Sequence, residues 1–303
     1  MIVKLFLRLA ICVAEFLGEL KYRILKAVFR KQIVRNINGS KMILSFDDTG
    51  ICKDLIIHGK REPFSTDRMK TFVGKSDTII DIGANVGYYA LLESRIASSG
   101  KIYAVEPVPA NLELLKKNIE LNGYSNLEVF HYGISDRNTT EEIYFMEKSN
   151  LSTFIKPTDG VVKDIIRVPM ITLDDFIARH VKRNPDLLRM DVEGYEYNIF
   201  KGAGKLLSGK DPLKIFIEIE SGLLSKDKLD YIVNSLKDNG FTVDSIYWEV
   251  PYLIGFYQFN KVLSNKLNKD AIRFKQGYVG DSYEKLAEAM RMFGWLDCFF
   301  VRK

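Results

Sequence analysis

The sequence predicts an α/β protein built on a mostly parallel sheet with helices on both faces. Three observations predict it. Apolar runs of strand length alternate along the chain with stretches of helical periodicity. The runs TIIDIG, KIYAVE, DLLRMDV and LKIFIEIE are close to continuously apolar, as strands buried on both faces require. Glycines and acids gather at the C-terminal ends of these runs, where open α/β sheets bind their ligands. Composition agrees: 303 residues, 47% hydrophobic and 27% charged, exclude a disordered or fibrous chain and suffice for a large core. Cys12, Cys52 and Cys298 are odd in number and widely spaced, which excludes a disulfide scaffold or a cysteine zinc site and suits a reducing, cytoplasmic compartment. A net charge of +5 is too small to mark a nucleic-acid binder.

Three segments are expected: a helix over 1–31, a β-rich lead-in over 32–70, and a main domain over 71–303 with an insertion at 251–294. Residues 1–31 hold seven basic and two acidic side chains, which is the whole of the net charge. Lys4, Arg8, Glu15, Glu19, Lys26 and Arg30 recur at helical spacing, in a stripe of roughly 80°. Ile2, Leu5, Phe6, Leu9, Val13, Phe16, Leu17, Leu20 and Ile24 cover the other side, giving a basic amphipathic helix. No uncharged run reaches the ~20 residues that a bilayer crossing needs. Arg8 and Glu15 interrupt the apolar stretch, against a signal peptide. Two placements stay open: docked on the body or on a second copy of the chain, or lying in a membrane interface on the cytoplasmic side.

In the lead-in, Asn38-Gly39 between strand-like runs signals a hairpin. The main domain opens with the strand 78–83, a helix over 86–97 and the strand 101–106. A helix over 109–122 follows, closed by Asn122-Gly123. Next come a strand over 126–134 and a hairpin-like pair around 141–147 and 165–170. A short helix starts at Leu173 with Thr172 as its N-cap. The strand 186–192 leads to a helix reaching Ala203, and the strand 213–220 to a helix over 226–238. Strands 241–250 and 295–303 end the chain, with a helix over 282–294 between them.

The chemistry begins at the end of the first parallel strand. There Asp81-Ile-Gly83-Ala-Asn85-Val-Gly87 runs straight into a helix, and Glu106 ends the next strand. Glycines allow a tight turn and a close ligand approach, and a carboxylate at Glu106 can accept both hydroxyls of a ribose. The spacing is not that of a dinucleotide fingerprint, and Asp81 would oppose a pyrophosphate. An acid there suits a cationic group instead, such as the amino group or sulfonium of S-adenosylmethionine.

The runs TIIDIGANVGYYA, VEPVPANLELLKKNIELNG, GISD, ITLDDF, LLRMDVEGYEYNIFKGA and IFIEIE resemble, in that order over about residues 60–250, the FkbM-type family of S-adenosylmethionine-dependent methyltransferases. The resemblance implies a Rossmann-like class I methyltransferase fold, with a seven-stranded sheet whose last strand is antiparallel. By position it implies that Asp81, Gly83, Asn85 and Gly87 line the methionine end, that Glu106 holds the ribose, and that Ser135 and Asp136 lie near the adenine. It also implies O-methylation of sugars and other small-molecule hydroxyls. Arg189 departs from the family's usual lysine but keeps the charge.

A sugar hydroxyl is a poor nucleophile near neutral pH, so a base or a metal is expected beside the methyl group. Asp191 is the first candidate, followed by Glu193. Glu193 and Glu196 open a helix, where acids also serve the helix dipole. Of Glu218 and Glu220 only one is expected to reach the site, and Glu218 is the candidate. Mg²⁺ on Asp191 and its neighbours is chemically permitted but not required. His58, His131 and His180 lack metal-ligand spacing and read as structural, and helical packing accounts for Tyr88 and Tyr89.

Three functions are compatible with these residues: a glycan or small-molecule O-methyltransferase acting at a membrane face, an RNA methyltransferase, or a non-catalytic binding protein that keeps the cofactor fold. Charge neutrality over residues 32–303 speaks against RNA. The joint presence of Asp81, Gly83, Gly87 and Glu106 speaks against a decayed site. A homo-oligomer is allowed.

Overall fold

Alternation along the strands, two residues per repeat, divides the apolar side chains between two cores and so fixes the layering of the molecule. The computed structural model describes residues 2–146, 154, 162–249 and 277–303. In order its elements are α1 (Ile2–Phe29), β1 (Gln32–Ile37), β2 (Ser40–Ser45), α2 (Ile51–His58), α3 (Pro63–Phe72), β3 (Thr78–Ile82), α4 (Tyr88–Ile96) and β4 (Lys101–Val105). These are followed by α5 (Pro109–Asn122), β5 (Leu127–Phe130), β6 (Gly133–Ser135), β7 (Thr139–Met146), β8 (Val162–Thr172), α6 (Leu173–His180), β9 (Leu187–Met190), α7 (Glu196–Lys201) and α8 (Gly204–Ser208). The chain closes with β10 (Leu213–Ile219), α9 (Lys226–Asp238), β11 (Thr242–Trp248), β12 (Gly277–Gly280), α10 (Tyr283–Met292) and β13 (Leu296–Arg302).

The main sheet has the order β12-β11-β13-β10-β9-β3-β4-β5. From β10 to β5 every pairing is parallel, whereas β13 lies antiparallel between β10 and β11. The antiparallel last strand is therefore as expected, but the sheet has eight strands rather than seven. The extra one is β12, which pairs with β11 at the edge and comes from the expected insertion. Residues 251–276 of that insertion lie outside the described residues.

Ile80, Ile82, Tyr103, Val105, Leu188, Met190, Ile215, Ile217, Cys298 and Phe300 face one core, closed by residues of α6, α7, α9 and α10. Ile79, Ile102, Ala104, Leu187, Phe216 and Phe299 face the other, closed by α2 to α5 and the hairpin. The same alternation sends Asp81, Arg189, Glu218 and Asp297 to the second face, a layer of charge beneath α3 and α4.

Two expectations are corrected. The single strand over 126–134 is two strands. The chain leaves the main sheet after Phe130, and β6 pairs with β8 in a separate three-stranded sheet, β6-β8-β7. The lead-in is only half β: after the hairpin come α2, whose Ile51, Cys52, Leu55 and Ile56 are buried at helical spacing, and α3, which has Pro63 in its first turn. Asn38 and Gly39 do form the hairpin turn, at φ of 52° and 86°. Gly123 closes α5 in the left-handed region, and the Thr172 hydroxyl accepts the Asp175 N–H at 3.1 Å to cap α6.

Helix α1 docks through one side only. The Tyr22 hydroxyl and Lys26 Nζ donate to the Phe46 carbonyl, and Lys21 Nζ donates to the Ile57 carbonyl. Val13, Phe16, Leu17, Leu20, Ile24 and Val28, on its other side, are exposed.

Candidate active site

The turn after β3 takes its shape from left-handed backbone conformation. Gly83, Asn85 and Gly87 all have positive φ, of 79°, 51° and 98°. The Gly83 and Ala84 N–H groups donate to the Val105 carbonyl at 2.9 and 3.1 Å, which ties the turn to the end of β4. A Cβ on Gly83 would stand 2.0 Å from the Asp191 carbonyl oxygen, so this glycine is what lets the ends of β3 and β9 meet.

Glu106, at the end of β4, is 3% exposed. It accepts N–H groups from Asn85 at 2.8 Å, Val108 at 2.9 Å and the Asn111 amide at 3.3 Å. Burial pushes its carboxyl up to about 7 despite those donors. Besides facing the cavity, it therefore fastens the glycine turn to the start of α5.

Around these residues lies a cleft that opens to solvent. Gly83, Asn85 and Glu106 line it near the glycine turn; Tyr132, Ile134 and Phe154 give it an apolar wall; Arg61, Glu62, Asp191, Glu193 and Tyr195 line the rest. Gly87 is outside the lining: a Cβ there would meet Leu115 Cδ1 at 2.6 Å, so it serves the packing of α4 on α5.

Asp81 lies beneath the cavity. It is fully buried and pairs through Oδ1 with Arg189 Nη1 at 3.1 Å, while Oδ2 has no partner among the described residues. Strand alternation is the reason: β3 turns Asp81 toward α4, not toward the ligand. Ser135 and Asp136 are displaced as well. Ile134 faces the cavity, so Ser135 turns away, its hydroxyl 3.1 Å from the Tyr195 hydroxyl. Asp136 pairs with Lys201 at 2.9 Å and Arg137 at 3.6 Å. The hydrogen bond from Lys201 lowers the Asp136 carboxyl. Neither Ser135 nor Asp136, expected near the adenine, lines the cavity; Tyr132, Gly133 and Ile134 do.

Arg189 is the hub of the opposite end. Only 4% exposed, it donates from Nη1 to Asp81 and to the Gly83 carbonyl, both at 3.1 Å, and from Nη2 to Asp191 Oδ2 at 2.8 Å. Its guanidinium stacks over Tyr89, 4.6 Å from the ring centroid. One buried cation thus joins the glycine turn to the carboxylate at the end of β9. Asp191 keeps about a quarter of its side chain exposed, toward the cavity. Behind the hub, Glu93 is fully buried with neither oxygen hydrogen-bonded among the described residues. Burial, and then the charge of Asp81, push its carboxyl well above the ordinary range.

Glu193 lines the cavity beyond Asp191. Burial, then Asp191 and Glu220, push its carboxyl well up, against Arg61. Glu218 does not line the cavity, nor does Glu220. Residues two apart in a strand share a face, so the expectation that one of the pair reaches the site fails for both. Burial and then Asp191 raise Glu218 well above the usual range and Glu220 to about 7. Glu196 is buried, accepts the Gly194 N–H at 3.0 Å, and is pushed up to about 8 by burial. Among the described residues no three His, Cys, Asp or Glu side chains are placed to hold a metal ion.

Arg61 and Glu62 were not anticipated. Arg61 bonds Glu62 Oε1 from Nε at 3.1 Å and from Nη2 at 2.9 Å, with Asp54 at 3.8 Å. Against the push of burial, Arg61, the Tyr89 hydroxyl and Arg189 hold Glu62 below the usual carboxylate range. The Tyr88 hydroxyl donates to the Arg61 carbonyl at 2.7 Å and the Tyr89 hydroxyl to Glu62 Oε2 at 2.8 Å. The two tyrosines thus hold the 61–62 segment over the site, a role that helical packing alone did not suggest. The sequence signal was Arg61-Glu62-Pro63, charges set immediately before a helix-opening proline.

The family model described as the methyltransferase FkbM domain matches residues 81–243, more than half of the chain. The chain belongs to that family. The expected membership among S-adenosylmethionine-dependent methyltransferases is thereby shown, and with it the Rossmann-like class I fold. "Methyltransferase 1" of Beauveria bassiana is 25% identical over 143 residues, which are 41% of this chain and 57% of that protein. "Hexuronic acid methyltransferase AglP" of Haloferax volcanii is 26% identical over 156 residues, 50% of this chain and 60% of that one. The chain thus spans less than two thirds of the length of these relatives. Among solved structures, M. jannaschii TYW2 in complex with AdoMet covers 90% of this chain and 87% of its own, at 11% identity and a TM-score of 0.44.

Proposed function

We propose that the chain transfers a methyl group from S-adenosylmethionine to a hydroxyl of a neutral sugar, a glycan or another small molecule, presented at a membrane face. The observation that carries this reading is the placement of Asp191: a carboxylate on the cavity wall, fixed by Arg189 at 2.8 Å and set across the glycine turn from Glu106.

The residues present fit the cofactor. Glu106 has lone pairs left for the hydroxyls of a ribose, Gly83 and Asn85 offer close backbone approach, and Tyr132, Ile134 and Phe154 supply an apolar wall for a purine. When bound, the cofactor supplies an activated methyl group on a sulfonium. What remains for the chain is to orient the acceptor oxygen, exclude water and take up the hydroxyl proton. Asp191 accepts that proton, directly or through a water. Glu193 lines the same wall beyond Asp191, its carboxyl raised by burial and by the neighbouring Asp191 charge. Asp54, Glu62, Asp191 and Glu193 stand here against Arg61 and Arg189. That acidic balance favours hydroxyls and disfavours phosphate, the opposite of what an RNA backbone demands. The carbohydrate substrate named for AglP supports a sugar acceptor, while the acidic wall favours a neutral one.

Calorimetric titration with S-adenosylmethionine and S-adenosylhomocysteine, followed by mass spectrometry of candidate sugars for a gain of one methyl group, tests this reading. Asp191→Asn is expected to bind the cofactor as the wild type does and to turn over roughly 10²–10⁴-fold more slowly. Equal turnover would remove the assignment. Absence of cofactor binding by the wild type would remove the function.

A further inference from the structure

Helix α1 is amphipathic in a sense opposite to that of a helix whose apolar face closes a core. Its docked side is formed by Gly18, Lys21, Tyr22, Leu25 and Lys26. A Cβ on Gly18 would stand 2.8 Å from Ile57 Cγ2, so the helix backbone lies directly on α2. Tyr22 is buried, its ring 5.5 Å from that of Phe46, and Glu19 reaches Lys53 at 2.8 Å. The far side is apolar and bare: Val13, Phe16, Leu17, Leu20, Ile24 and Val28 are 44–67% exposed. At helical spacing these six fall within an arc of roughly 120°, on the side away from Gly18 and Tyr22. Among the described residues nothing covers the stripe.

Charge decides what covers it. Residues 1–31 carry seven basic and two acidic side chains, while the rest of the chain balances. Arg23 flanks the stripe with its side chain 76% exposed, and Arg30 and Lys31 follow where the helix ends. A second copy packed along this stripe would bring two such basic helices side by side, against Coulomb repulsion. Lys21 and Lys26 are held by carbonyls of the body, but an anionic lipid surface takes both remaining features at once, the apolar stripe below the headgroups and Arg23, Arg30 and Lys31 among them. No helix among the described residues is long and apolar enough to cross a membrane, and α1 in this setting lies flat. We infer that the exposed apolar face of α1 docks on the surface of an anionic lipid bilayer.

This docking would also aim the active site. Helix α2, on which α1 rests, contributes Ile51 to the cavity lining, and its Asp54 stands 3.8 Å from Arg61. The acceptor end is thus separated from the lipid-facing helix by about one helix diameter, ~10 Å. The inference rests on α1 alone and stands whether or not the assigned reaction is correct.

Co-sedimentation of the full chain with vesicles tests it. The protein is expected to pellet with phosphatidylcholine vesicles containing phosphatidylglycerol and not with pure phosphatidylcholine, and to bind roughly tenfold or more weakly in high salt. In the variant Phe16→Glu/Leu20→Glu/Ile24→Glu all three positions are exposed. Its thermal melting and its cofactor titration are therefore expected to match the wild type, with vesicle binding lost. Failure of the wild type to pellet with anionic vesicles would overturn the inference, as would a variant that still pellets. A wild-type dimer in sedimentation equilibrium that the same substitutions split, without vesicle binding, would assign the stripe to a second copy instead. None of these readouts uses methyl transfer, so failure here is distinguishable from failure of the proposed reaction.

Discussion

Replacing Arg189 by methionine keeps the bulk of the side chain and removes the one cation shared by Asp81 and Asp191. With donor–acceptor distances of 3.1 and 2.8 Å, each pairing amounts to about 5–6 kcal/mol at an effective dielectric of 20. Losing the cation also spares the cost of burying it, so the net effect is that of breaking a buried pair, about 3–5 kcal/mol. Its pH dependence is the sharper signature. Asp81 is fully buried, so without Arg189 its charged form loses its ion-pair partner in a site shut off from water. Burial already raises its carboxyl while Arg189 opposes that rise, and removing Arg189 raises it further. A carboxyl raised on folding contributes stability that is present below its unfolded pKa and lost as pH rises through the folded one. The penalty of Arg189→Met therefore grows with pH, by up to about 1.4 kcal/mol per unit where the variant holds a proton that the wild type has released. Urea unfolding at pH 5.5 and pH 8 is the assay, with about 1–2 kcal/mol expected at the lower pH and 3–5 at the higher. Adding Asp81→Asn should recover most of the loss at pH 8, and Arg189→Lys should cost less than methionine because it keeps the charge. A penalty equal at both pH values, or below about 1 kcal/mol at pH 8, would refute the hub as described.

Gly83→Ala places a Cβ 2.0 Å from the Asp191 carbonyl at a φ of +79°. It should lower stability by 3 kcal/mol or more and abolish cofactor binding, and an unchanged melting temperature would contradict this. Glu106→Gln should weaken cofactor binding at pH 8 by about 1–3 kcal/mol in calorimetry. Because Glu106 titrates at about 7, wild-type affinity should fall as pH drops from 8 to 6, whereas the variant's should stay flat. The same group works the other way on stability: raised from 4.5 to about 7, it loses its contribution as pH rises between those values, and the variant should lack that slope.

What could be read from the sequence was local. Strand, glycine turn, helix and the acid ending the next strand occupy one βαβ stretch, and their geometry follows from chain neighbours; Gly83, Asn85 and Glu106 line one cavity. Ser135 and Asp136 do not, because the break after Phe130 depends on β6 pairing with β8, some 35 residues away. Arg61 and Glu62 reach the site through tertiary packing that no spacing encodes. Asp81 and Glu218 were legible in principle. Two-residue alternation, applied to whole strands rather than to their ends, puts them and Arg189 in one layer under α3 and α4.

Helix α5 treats β2 as though it were itself a strand. The Asn118 Oδ1 accepts the Ile43 N–H at 2.6 Å, and its Nδ2 donates to the Val86 carbonyl at 2.9 Å. One turn on, the Asn122 side chain exchanges both bonds with the backbone of Lys41, at 2.8 and 2.7 Å. Two amides one helical turn apart thus stand in for a neighbouring ladder and occupy backbone groups that an incoming edge would need. The hairpin is consequently a keyed part rather than a flap. It cannot slip by one residue without both amides losing register, and Asn118 bonds it to the carbonyl of Val86, inside the glycine turn.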